Sequence, residues 1–128
     1  MKLSVYITSL CLFLFCTSVL SGTIPDEAKL VITKVNIAAK NKDISTLKSF
    51  MVSEFVWSFG GDGNAEQAIE AWQAQPSLLR QLQRATSQKC ALKPKQYIEC
   101  PSNTGVGFRA GFKQTTEGWR MVYFVGGD

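Results

Sequence analysis

The sequence predicts an α+β fold in which N-terminal helices pack on a curved antiparallel sheet and a single disulfide pins the domain. Three observations carry that expectation. Up to about Ala85, apolar residues recur mainly at three- and four-residue spacing, the period of a helix with one inner face. After Cys90 the texture changes to apolar residues at every second position, interrupted by Gly and Pro, which is the period of strands. Cys90 and Cys100 stand at that changeover.

Taken in order, Thr23 is placed to cap a first helix, with Pro25 in its first turn and Asp26 and Glu27 at its positive end. Ala28, Val31, Val35 and Ala38 form its inner face, and Asn41-Lys42-Asp43 ends it. Asp43 or Ser45 caps a short second helix carrying Leu47, Phe50 and Met51. Phe55, Trp57 and Phe59 then alternate, as expected of a strand with one buried face, and Gly60-Gly61-Asp62-Gly63 turns the chain. Asn64-Ala65-Glu66-Gln67 opens a third helix with Ala68, Ile69 and Trp72 inward. Pro76 interrupts it, and Ser77 caps a fourth helix with Leu78, Leu79, Leu82 and Ala85 inward. Gln96–Cys100 is a short strand. The runs from Val106 to Lys113 and from Trp119 to Val125, joined by Thr115-Thr116-Glu117-Gly118, read as an antiparallel hairpin with Phe108, Ala110, Phe112, Trp119, Met121, Tyr123 and Val125 at the alternate positions.

The first 22 of the 128 residues read as a secretory signal peptide: Lys2, an apolar run Leu10–Cys16, then small residues up to a cleavage point near Ser21 or Gly22. The run is short of the ~20 apolar residues that a membrane span needs. Phe15 before Cys16 and Leu10 before Cys11 do not fit lipid attachment. The expectation is a protein exported to the periplasm or medium without a stable membrane anchor, whose single domain is residues 23–128. Cys90 and Cys100 then have only each other as partners, and in an oxidising compartment they pair. Loss of Lys2 takes the formal net charge from +4 to +3, and the basic residues are scattered, which gives no nucleic-acid stripe. With 45% hydrophobic and 19% charged residues the chain is globular rather than disordered. It contains no His. That excludes a Ser/His/Asp triad, a Cys/His dyad and a His-based zinc site.

Two stretches carry a family resemblance. Ala38…Lys42-Asp43-Ile44…Leu47…Phe50…Phe55-Val56-Trp57 resembles the opening of NTF2-like (SnoaL-like) domains, in which two helices precede the first strand. Phe108-Arg109-Ala110-Gly111-Phe112…Glu117-Gly118-Trp119-Arg120-Met121-Val122-Tyr123-Phe124-Val125-Gly126-Gly127-Asp128 is similar to the terminal hairpin of that superfamily. The resemblance implies a cone with a pocket between helices and sheet, used for catalysis in some members and only for binding in others. Enzymatic members commonly use an Asp/His pair, and the His is missing here.

Within such a cone the candidate ligand-binding residues are Trp57, Phe59, Asp62, Trp72 and Tyr123, although core packing is the commoner role for the two tryptophans. Glu54, Asp62, Glu66, Glu70 and Asp128 are the carboxylates from which a general base would come, with Tyr123 as a proton donor; Glu66 and Glu70, at i and i+4, read as a solvated helix face. Gly60-Gly61-Asp62-Gly63 lacks the spacing of a phosphate loop and reads as a turn. Arg109 and Arg120 read as surface charges. Nothing calls for a cofactor or a metal. The functional expectation is therefore an exported, non-enzymatic binding protein, taking either a small apolar molecule or another protein in an inhibitor (immunity-type) role. The competing expectation is a cone-type enzyme with a buried carboxylate as general base.

Overall fold

The computed structural model describes residues 23–57, 63–102 and 107–126. The expected signal peptide, Phe59, Asp62, Val106 and Asp128 lie outside the described residues. The chain runs α1 (Asp26–Asn41), α2 (Ile44–Ser49), β1 (Met51–Val56), α3 (Ala65–Ala74), α4 (Ser77–Ser87), β2 (Ala91–Lys93), a short 3₁₀ turn (Pro94–Gln96), β3 (Tyr97–Cys100), β4 (Phe108–Thr115) and β5 (Gly118–Gly126). No helix among the described residues is long and apolar enough to cross a membrane.

Local chemistry sets most of the helix ends. Pro25, not Thr23, precedes α1, and Lys42 closes it in the left-handed region (φ 55°). Of the two expected caps for α2, Asp43 serves: its carboxylate accepts from the Thr46 amide at 3.2 Å. Thr46 also bonds that carboxylate through its hydroxyl, and the two bonds hold the Asp43 pKa below its ordinary value. Asn64 caps α3 by accepting from the amides of Glu66 and Gln67. Pro76 takes the cap position of α4, and Ser77 becomes its first residue. α1 and α4 pack against each other, fastened where Asn36 Nδ2 donates to the Gln83 carbonyl at 2.9 Å.

The five strands form one sheet in the order β1-β5-β4-β3-β2. β2 to β5 are antiparallel to their neighbours, as expected. β1 joins β5 in parallel, which makes the sheet mixed. β1 also starts and ends earlier than the Phe55/Trp57/Phe59 alternation suggests. Its buried side chains are Met51 and Phe55, and Trp57 falls just beyond its end. Helices lie on one face of the sheet, with α3 against β1 and α4 against β4. The core between them contains Leu47, Phe55, Trp72, Leu82, Phe112 and Met121, all at most 2% exposed. Both sheet edges are blunted. β2 is three residues long and runs into Pro94, and the Asn64 amide donates to the Phe55 carbonyl at the end of β1.

One irregularity decides what the other face of the sheet presents. Gly111 pairs with Tyr123, but Phe112 pairs with Met121, so Val122 is the extra residue of a β-bulge. The alternation from Trp119 through Met121 therefore shifts by one position. Phe124, not Tyr123, continues the core face, where its ring stacks on Phe108 at 5.3 Å.

Candidate functional site

Because of the bulge, Tyr123 faces away from the helices. Glu99, Gly111 and Tyr123 are in register on the adjacent strands β3, β4 and β5. Gly111 has no side chain, so the Tyr123 ring lies across it. Its hydroxyl donates to Oε2 of Glu99, whose residue is only 5% exposed. A Cβ at position 111 would stand 2.6 Å from Tyr123 Cδ1 and closer still to Cε1 and Cζ. The backbone of Gly111 needs no glycine, since its φ lies outside the left-handed range. The close approach of the ring is the reason for the residue. Burial, the bond to Glu99 and the negative charge of Glu99 together push the Tyr123 phenol well above its ordinary value near 10. Tyr97 adds to that shift, Arg109 opposes it, and the Tyr97 ring meets the Tyr123 ring edge-on at 6.5 Å.

These two rings border a groove of about 460 Å³ on the outer face of the sheet. Val52 and Val56 of β1 and the bulged Val122 give it an aliphatic wall. Val56 is 41% exposed. Glu54 stands at the β1 side, where Ser53 Oγ donates to Oε2 at 2.7 Å. That bond, and then a backbone bond at Glu54, hold its pKa below the ordinary carboxylate value. At the opposite side stand Lys113 of β4 and Lys95 of the 3₁₀ turn, the latter in the left-handed region (φ 66°). The ion pair among the described residues is Lys48 with Glu66, and no described carboxylate pairs with Lys95 or Lys113. A second concavity, about 470 Å³, lies over α4 and is lined by Arg80, Gln81, Gln83, Arg84 and Ser87, without an apolar floor.

The candidate residues fall at several places. Trp72 is 2% exposed and meets Phe55 and Phe124 edge-on at 5.6 and 5.8 Å, on the helix side of the sheet. Trp57 packs half-buried against the same core, and Tyr123 lines the outer groove, so Trp72 and Tyr123 lie on opposite faces. Phe59 and Asp62 are outside the described residues. Cys90 and Cys100 are bonded, with Cα atoms 4.3 Å apart, and tie the start of β2 to the end of β3. Glu66 and Glu70 are both exposed, as a solvated helix face requires. The Arg120 guanidinium lies over the Phe50 ring at 5.6 Å. No cluster of three or more metal-ligating side chains occurs among the described residues.

Sequence reasoning passed over Glu99. Its signal was present: in Tyr97-Ile98-Glu99-Cys100 the polar positions alternate with apolar ones, which sends Glu99 to the outer face. That Gly111 is its cross-strand neighbour, and that Tyr123 reaches across, depends on register between distant strands and on the bulge.

No family model matches the chain, and no curated protein matches it. Among solved structures it is similar to an NTF2-like protein with a cystatin-like fold from Novosphingobium aromaticivorans. The two are 18% identical over 77% of each chain, with a TM-score of 0.43. The class the structure defines is an α+β protein with helices on one face of a five-stranded mixed sheet and one disulfide.

Proposed function

We propose that this is an exported, non-enzymatic binding protein that takes a small apolar ligand in the groove on the outer face of its sheet. The observation that carries the reading is the groove itself: a concavity of about 460 Å³ lined in large part by valines and two tyrosine rings. That volume falls in the range of small-molecule sites, ~300–1,000 Å³. The N-terminal signal-like segment and the Cys90–Cys100 bond support export, since disulfides persist in oxidising compartments. The blunted edges of β1 and β2 disfavour a partner that adds a strand.

A cone-type enzyme is the second reading, and the buried Glu99 favours it. Against it, the Glu99 carboxylate is occupied by the Tyr123 hydroxyl, and Glu54 has a pKa below the ordinary range, the reverse of a poised base. The binding reading is tested by titrating the processed protein with the neutral apolar fluorophore N-phenyl-1-naphthylamine. Saturable one-to-one enhancement is expected, lost in Val56→Glu, whose exposed position lets the new charge stay hydrated. Absence of enhancement, or enhancement that Val56→Glu leaves intact, contradicts it. Co-purification of a second polypeptide that the same substitution releases would move the reading to an inhibitor role.

A further inference from the structure

We infer that the ligand of the outer groove is an anionic amphiphile, with its acid group at Lys95 and Lys113 and its hydrocarbon chain lying over Tyr123 and Val122 toward β1. The inference rests on the binding role proposed above and adds the ligand's chemistry and direction. The groove crosses the sheet from β1 over β5 and β4 to β3, and strands lie ~4.8 Å apart. Its acidic and basic residues are therefore on different strands: Glu54 of β1 is about 10 Å in strand spacing from Lys113 of β4, and Lys95 lies in the turn that leads into β3. No described carboxylate pairs with either lysine, whereas Glu54 is held as an anion by Ser53. An acid group is thus favoured at the lysine side, where the Glu99 carboxylate of β3 is only 5% exposed and accepts from the Tyr123 hydroxyl, and repelled at the β1 side. Between them the surface is aliphatic and aromatic. That sequence of acceptor site, apolar track and acidic stop fits a single-chain carboxylate, or a sulfate or phosphate monoester of the same shape. It does not fit a cationic amphiphile, whose head would have to stand at Glu54.

Each exposed ion contact contributes a factor of roughly 1.5 to 5 in affinity. Two such contacts multiply to roughly 2- to 25-fold in favour of the anion over its neutral analogue, with the middle of that range at about five- to tenfold. The test uses decanoate, decan-1-ol and decyltrimethylammonium as competitors of the bound fluorophore, on the parent protein and on a Lys95→Asn/Lys113→Gln double variant. Asn is chosen at position 95 because it tolerates the left-handed backbone there. Decanoate is expected to bind about five- to tenfold tighter than decanol, and decyltrimethylammonium weakest. The double variant should bind decanol unchanged but lose the preference for decanoate, and added salt should shrink that preference in the parent. Decanol binding as tightly as decanoate, or a preference that survives in the double variant, overturns the anionic assignment and leaves the groove itself standing. Failure of all three to compete, or sedimentation equilibrium showing a dimer that Val56→Glu dissociates, overturns the groove reading as well.

Discussion

Gly111→Ala isolates the contact on which the outer face is built. A Cβ at position 111 would overlap the Tyr123 ring, so the ring must leave and its hydroxyl must release Glu99. A hydrogen bond to a charged group contributes about 1.5–3 kcal/mol. Against that loss, replacing Gly by Ala at an unstrained position stabilises by about 0.4–1 kcal/mol through the unfolded chain. The net expectation is destabilisation by about 1–2 kcal/mol, measured by urea unfolding at pH 7. The decisive control is Tyr123→Ala. Without the ring there is nothing to overlap, and Gly111→Ala in that background should stabilise by the ~0.4–1 kcal/mol alone. The sign therefore reverses between backgrounds. A neutral or stabilising Gly111→Ala in the parent, or an equal cost in both backgrounds, would refute the reasoning.

Three further outcomes are expected. The Tyr123 pKa is raised on folding, so its contribution is fully present below the unfolded value near 10 and is lost as pH rises above it. Melting temperature should fall more steeply above pH 10 in the parent than in Tyr123→Phe, and parallel slopes would contradict the buried phenol. Reducing Cys90–Cys100, which closes a separation of ten residues, should cost about 2–3 kcal/mol in the chain-entropy account; a melting temperature unmoved by reductant would exclude the bond. Trp72→Ala should cost about 3–5 kcal/mol, because the ring is enclosed by Phe55 and Phe124. Trp57→Ala, at a half-buried position, should cost clearly less, and equal losses in denaturant melts would place Trp57 in the same core.

What the sequence made legible was whatever depends on near neighbours. Asp43 before Ile44, Asn64 before Ala65 and the inner stripe Leu79, Leu82 and Ala85 are local signals, and the helices follow them. The hairpin turn is local too: Thr115 Oγ1 accepts from the Glu117 amide and donates to the Gly118 carbonyl. The misplacement of β1 has a long-range cause. Its position is set by parallel pairing with β5, where the Met121 amide donates to the Phe50 carbonyl, and nothing near Met51 encodes that partner. Tyr123 shows the same limit more sharply. Alternation from Trp119 assigns it to the core face, and one extra residue at Val122 sends it to the other. Glu99 became meaningful only once its register with Gly111 was known. β2, three residues beside Cys90, is too short for a period to be read.

The measurement that bears most directly on the account is amide and methyl chemical-shift mapping of the protein titrated with decanoate. Shifts concentrated on Val52, Val56, Lys113, Val122 and Tyr123, saturating at one equivalent and absent in Val56→Glu, are the predicted result. Shifts gathered instead around Trp57 and Trp72 on the helix side, or no saturable shifts at all, would contradict a binding site on the outer face of the sheet.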